Sequence, residues 1–241
     1  MKLEVKSLSF SYPKEIIFNN LNLDIDPGQI VGIWGVNGIG KTTLLKLLLG
    51  ILKPSSGLIE FKPQFVGKIG YLPQDPIDVL LPWKSVIENV MLNIGYEKSE
   101  KREEALKNLC DYGIDESYRD VFIKELSGGY QQRLGWACLF AAKPDVFILD
   151  EPFSMQDLNW TNKLAFLLYK EVFGSEKIAL LISHDPIRLF QCCQTIVILK
   201  NATNGTNYHK IDVSLGIEIR KSIEKIIGHQ DYRDFMSKYY E

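Results

Sequence analysis

Residues 35–43 read GVNGIGKTT. Gly35, Gly40, Lys41 and Thr42 fit the spacing G-x-x-x-x-G-K-[ST]. The chemistry follows from residue type. Glycines let consecutive backbone N–H groups close around an anion without Cβ clashes. The helix start that follows adds about half a positive charge. Lys41 supplies a full charge to the β and γ oxygens of a bound polyphosphate, and the Thr42 hydroxyl is a hard oxygen suited to Mg²⁺. Downstream, VFILDEP at 146–152 leaves Asp150 and Glu151 at the carboxyl end of an apolar run, where open α/β sheets bind ligands. There Asp150 is suited to hold Mg²⁺ through water, and Glu151 to orient and polarise an attacking water. Phosphoryl transfer needs such alignment and charge neutralisation more than covalent help. A third stretch, LSGGYQQR from Leu126, presents Ser127, Gly128 and Gly129 as a bare polar turn ahead of a helical pattern. Each stretch also has a plain reading: a glycine-rich turn, a solvated strand end, a serine-capped helix.

These residues need elements to hold them. IVGIW (30–34) reads as a short buried strand, and TTLLKLLLGIL (42–52) as an apolar helix that PSSG (54–57) breaks. DVFILD (145–150), KIALLIS (177–183) and TIVILK (195–200) are continuous apolar runs, the pattern of parallel strands covered on both faces. Helical segments lie between them, which predicts a parallel sheet with helices packed on it. Residues 3–12 and 21–26 instead alternate: Leu21, Leu23 and Ile25 face one way, Asn22, Asp24 and Asp26 the other, as in a half-buried antiparallel strand. Strands are predicted at 58–61 and 68–72, and helices over 85–113, with Ser99 an N-cap and Gly113 a C′ glycine. Asn204-Gly205 predicts a final hairpin turn, and the tail from Ser214 reads as helical. The expected fold is α/β: a P-loop NTPase core with a mixed sheet, an N-terminal antiparallel β subdomain, and a helical subdomain inserted at about 75–143 of a single domain spanning 1–241.

The chain has 241 residues, 46% hydrophobic and 24% charged, with net charge −2. That composition is ordinary for a soluble globular protein and gives no electrostatic footprint for a nucleic-acid partner. Four cysteines, Cys110, Cys138, Cys192 and Cys193, lack metal-ligand spacing and read as reduced thiols. MKLEVKSLSF lacks the apolar run of a signal peptide, and no stretch approaches 18 apolar residues. Work at a membrane would therefore need a partner to hold the chain there.

The three motifs together, in this order, resemble the ATP-binding cassette (ABC) ATPases over nearly the whole chain. The resemblance implies Mg-ATP hydrolysis and gives further residues a role. Tyr12, 29 residues before Lys41, matches the aromatic that stacks on adenine. Asn37, Gly38 and Thr43 complete the phosphate loop (Walker A). Gln74 matches the glutamine that senses Mg²⁺ and γ-phosphate, with Thr42 and Asp150 as its companions at the metal. His184, in SHD, matches the switch histidine at the γ-phosphate. Asp157 matches the aspartate of a loop that crosses to a partner, though a helix N-cap is the plain reading. In the family two copies pack head to tail as a homodimer. Ser127, Gly128 and Gly129 of one copy then cap the ATP held by Lys41 of the other. Two departures stand out: Met155 and Gln156 replace a smaller turn before Asp157, and Cys138 stands where many relatives carry arginine.

DPIDVLLPWKSVIENV (75–90) puts Leu80, Leu81, Pro82 and Trp83 just before a helix. The plain reading is a buried hairpin; in ABC transporters this region receives a helix of the integral-membrane permease. The wording resembles the nitrate, sulfonate and taurine importer group. It implies a cytoplasmic, membrane-associated transport motor, served indirectly by an extracytoplasmic solute-binding protein. The alternatives are a soluble single-cassette ATPase of assembly or regulation, and the motor of a split exporter.

Overall fold

The computed structural model describes residues 2–62, 67–95, 100–202 and 205–212. The expected N-cap Ser99, Asn204 of the hairpin turn and the tail from Ser214 lie outside them. Within them, the strands are β1 (Lys2–Tyr12), β2 (Glu15–Ile25), β3 (Ile30–Trp34), β4 (Ser56–Lys62), β5 (Ile69–Leu72), β6 (Val146–Asp150), β7 (Ile178–Ile182), β8 (Thr195–Ala202) and β9 (Gly205–Asp212). They form one sheet in the order β4-β1-β2-β9-β8-β3-β7-β6-β5. β8, β3, β7, β6 and β5 run parallel, while β4, β1 and β2 pair antiparallel. β8 and β9 form the expected hairpin.

Continuous apolar runs give the parallel strands two buried faces. Ile30, Phe147, Leu149, Ala179 and Leu181 join one core. Val31, Ile33, Val146, Ile148, Ile178, Leu180 and Ile182 join the other. The β1–β2 ribbon is longer than the alternation predicted. Its register shifts between Val5 and Leu8 and again at Phe10, with Ser7 and Asn20 at positive φ. Such bulges break the two-residue period. Side chains satisfy the displaced backbone: Ser7 N donates to Asn22 Oδ1 (2.9 Å) and Asn20 N to Ser9 Oγ (3.1 Å).

Among the described residues the α-helices are α1 (Lys41–Leu48), α2 (Val86–Ile94), α3 (Glu100–Asp111), α4 (Gly128–Ala141), α5 (Leu158–Val172) and α6 (Pro186–Cys192). α1 stops earlier than its apolar run. Gly50 takes φ 71°, and Gly50 N and Ile51 N donate to Leu47 O (3.0 Å) and Lys46 O (2.8 Å). This is a Schellman cap, which PSSG plays no part in. α3 ends the same way at the expected Gly113, with Gly113 N on Cys110 O (2.9 Å) and Ile114 N on Leu109 O (2.9 Å). α2, α3 and α4 all lie between β5 and β6 in the chain and pack mainly on one another, with α4 also against β5. In α4, Cys138 is a core residue whose thiol burial pushes up to about 12.

Gly113 sits at φ 70°, and a Cβ there would collide with the Trp160 ring. Gly113→Ala should therefore destabilise the protein by about 3 kcal/mol, from left-handed strain plus overpacking. Chemical denaturation measures it; a change under 0.5 kcal/mol would show that the α3–α5 joint yields freely.

Candidate functional site

Neighbouring parallel strands bring their carboxyl ends to one edge. Ile33 of β3 is level with Ile182 of β7, Asp150 of β6 with Ile182, and Leu72 of β5 with Leu149. The loops after β3, β7, β6 and β5 therefore converge, carrying Gly35–Lys41, Ser183–His184, Asp150–Glu151 and Gln74. They meet in a cavity of about 510 Å³ lined by Tyr12, Asn37, Gly38, Gly40, Lys41, Thr42, Thr43, Gln74, Asp150, Glu151 and His184. Glu15 and Ile17 of β2 line it as well, and sequence reasoning missed both. Gly35 lies just below, buried where a Cβ would press on Ile39 and the Leu199 carbonyl. Ser127, Gly128, Gly129 and Asp157 are not among the lining residues.

The phosphate loop has the geometry of an anion cradle. Gly38 and Gly40 take φ 81° and 106°. A Cβ on Gly40 would also strike Ile17 at 2.5 Å, so β2 leans directly on the loop. Gly40 begins α1 with no side-chain cap and no acidic residue in the first turn, so the first N–H groups stay open to an anion. Lys41 Nζ meanwhile donates to the carbonyls of Gly35 (2.6 Å) and Val36 (3.1 Å) of its own loop. Burial holds its pKa down, against the pull of Glu151 and Asp150.

Asp150 is half-buried, and its carboxyl is pushed up to about 6, first by burial and then by neighbouring Glu151, with Lys41 acting the other way. Glu151 is only 8% exposed and holds φ 47°, a left-handed conformation costly for a side-chain-bearing residue. The loop after β7 satisfies its carboxylate. Ser183 Oγ donates to Oε2 (2.9 Å), His184 N to Oε1 (2.7 Å), and His184 Nδ1 lies 2.8 Å from Oε1. That loop is itself tied down. Trp34 Nε1 donates to His184 O (3.1 Å). Arg188 pairs with Asp185 (3.1 Å), reaches Thr161 Oγ1 (3.1 Å) and donates to the Phe153 carbonyl. From the other side, Gln132 Nε2 and Trp136 Nε1 both donate to Pro152 O at 3.1 Å. Ser183 and Arg188 escaped sequence reasoning. Ser183 adjoins the SHD histidine and could have been suspected, whereas Arg188 carries no motif signal.

The remaining expected residues serve the structure locally. Ser127 caps α4, its Oγ accepting from Tyr130 N (3.4 Å), and Ser127 and Gly128 are exposed. Asp157 caps α5, its Oδ1 accepting from Trp160 N (2.9 Å). Tyr12 is 41% exposed and packs T-shaped on Phe10.

A phosphate-gripping turn and an acidic pair at the carboxyl edge of a parallel sheet, with an antiparallel ribbon alongside, define a P-loop NTPase. The ABC transporter family model matches residues 18–154. An ABC transporter ATP-binding protein of Cyanophora paradoxa is 38% identical over 197 residues, 76% of this chain and 79% of its own length. The aliphatic sulfonates import ATP-binding protein SsuB 1 of Rhodococcus jostii is 32% identical, over 76% of this chain and 73% of its own. A solved dimeric ATP-binding cassette, in a post-hydrolysis state bound to ADP and Pi, matches with TM-score 0.75 at 26% identity, covering 88% of this chain and 98% of that one. The chain belongs to the ATP-binding, ATP-hydrolysing subunits of ABC transporters.

Ser183→Ala strips one donor from a buried carboxylate. It should lower unfolding stability by about 1–3 kcal/mol and ATPase turnover by roughly tenfold. Denaturant titration and a phosphate-release assay measure these; unchanged turnover would show that Glu151 needs no hydroxyl to hold it.

Proposed function

We propose that this chain is the motor of an ABC importer. Two copies would close head to tail around two Mg-ATP molecules beneath integral-membrane permease subunits fed by an extracytoplasmic solute-binding protein. One observation carries the reading: the phosphate-loop and acidic-pair residues line one cavity, and the Ser127–Gly129 turn, exposed at Ser127 and Gly128 and with its own helix start, is not part of it. A second copy supplies the missing half. Each ATP is then the glue, and loss of the γ-phosphate contacts loosens the pair.

In this reading Tyr12 stacks on adenine. Backbone N–H groups of residues 37–43 and the Lys41 ammonium hold the phosphates, once Lys41 leaves its own carbonyls. Glu151 orients and polarises the water, and His184 contacts the γ-phosphate. Thr42, Asp150 and Gln74 offer hydroxyl, carboxylate and amide oxygens, a hard set that fits Mg²⁺. When bound, Mg²⁺ would neutralise charge developing on the phosphates. The importer assignment draws support from the name of the Rhodococcus relative. Location on the inner face of the cell membrane would come from the permease; among the described residues no helix is long and apolar enough to cross a membrane. The region 75–90, within the helical insertion of about 75–143, is the proposed docking surface. Leu80 is buried there, whereas Ile77, Val79 and Trp83 are exposed, Trp83 by 69%. Asn89 pins the loop behind them through Leu81 N (2.8 Å) and Ser85 O (2.9 Å).

Glu151→Gln should abolish turnover yet trap an ATP-bound dimer. A monomer by light scattering at saturating Mg-ATP would refute the sandwich for the isolated subunit. Asp150 must be ionised to meet a cation, and its carboxyl sits near 6. The Mg²⁺ concentration for half-maximal ATPase should therefore rise about tenfold per unit as pH falls below 6. Asp150→Asn should keep only the shallower dependence set by protonation of ATP itself, while needing more Mg²⁺ at neutral pH; wild-type and variant curves of the same slope would remove Asp150 from the metal.

A further inference from the structure

We propose that Gln156 is a positioning residue. It latches the Ser127–Gly129 turn to the loop leading into Asp157, so that both reach a second copy as one rigid piece. The proposal rests on the head-to-tail reading above. Gln156 belongs to a surface loop, between exposed Met155 and exposed Asp157, yet is itself only 7% exposed. Both ends of its amide are used: Nε2 donates to Gly129 O (2.9 Å), and Oε1 accepts from Arg133 Nε (3.1 Å). Gly129 and Arg133 both belong to α4, so one side chain grips that helix at two points about a turn apart.

The grip continues into α5. The Arg133 guanidinium lies 3.9 Å from the centroid of the Trp160 ring, a close cation–π contact, and Nη1 reaches Gly113 O at 3.5 Å. Trp160 N in turn is capped by Asp157. Asp157 follows Gln156 in the chain, so the circuit Gln156–Arg133–Trp160–Asp157 closes on itself, with Gly129 tied to it through the Gln156 amide. The glycines serve it too. A Cβ on Gly128 would come within 3.0 Å of Met155 Sδ, and one on Gly129 within 3.3 Å of Met155 O. The glycine turn thus has a reason within its own chain, besides any anion. A slip of about 1 Å between turn and loop would stretch both Gln156 hydrogen bonds past useful length. Free of the latch, each segment would have to be ordered separately when copies meet, at the cost of more conformational entropy.

The test compares Glu151→Gln with the doubles E151Q/Q156A and E151Q/Q156E; glutamate keeps the acceptor for Arg133 but loses the donor to Gly129. All three should bind a fluorescent ATP analogue equally as single chains, since the phosphate loop is untouched. The Q156A double should need about tenfold more Mg-ATP for half-maximal dimer by light scattering, corresponding to the loss of two ordinary hydrogen bonds. The Q156E double should fall between. Amide exchange at 127–133 and 157–161 should rise together in both doubles, with the sheet unchanged. Dimerisation at the parent's ATP concentration, or exchange unchanged at both segments, overturns the latch. If the Glu151→Gln parent stays monomeric, the head-to-tail reading fails by itself. Exchange on the single chain then decides the latch alone: a joint rise supports it, no rise removes it.

Discussion

A carboxylate that is 8% exposed must be met by donors, and most of the site's architecture answers to that demand at Glu151. β6 and β7 are neighbours, so the chain leaving one can hydrogen-bond the residue that ends the other. Ser183 and His184 supply the donors. Trp34 from β3 and Arg188 from α6 hold those donors still. Pro152, the next residue along, is gripped by Gln132 and Trp136 of α4. The left-handed backbone at Glu151 persists because partners on three sides over-determine it.

Helix starts are treated in two ways. Ser85 with Glu88, Ser127 and Asp157 cap α2, α4 and α5. α1 has no such side chain. A cap would occupy donors that a triphosphate needs, and an acidic first turn would repel it. Lys41 folded onto its own carbonyls supplies interim partners for a half-buried ammonium. On the proposed reading, ligand entry exchanges one set of acceptors for another and strands no charge.

The parallel core was legible because each of its strands is an unbroken apolar run between charged or polar residues, and the phosphate loop because glycines and lysine at fixed spacing have few other uses. Alternation reads the first ribbon strand at nearly its full length but the second only over 21–26, since the irregularity at Asn20 breaks the period of β2 (Glu15–Ile25). The end of α1 lies earlier than the apolar run because Ile51 and Leu52 continue it past Gly50, whose positive φ no hydrophobic pattern records. Arg188, Gln156 and Ser183 were illegible in their roles for another reason. Their long-range partners lie 23 to 35 positions away, and only the folded chain reveals such distances. Gln156 was visible as an oddity, a bulkier residue than the turn requires, but its two partners were not.

The bare Cα of Gly40 has a consequence beyond the turn it permits. Ile17 and Phe18 occupy the space a methyl would take, so the outer ribbon carrying Tyr12 and the loop carrying Lys41 are seated on each other like the jaws of a calliper. On the proposed reading, the gap between the jaws gauges base to inner phosphates, a span that substrate and product share. Telling spent nucleotide from fresh is then left to the far rim of the cleft, where His184 stands 67% open to whatever arrives.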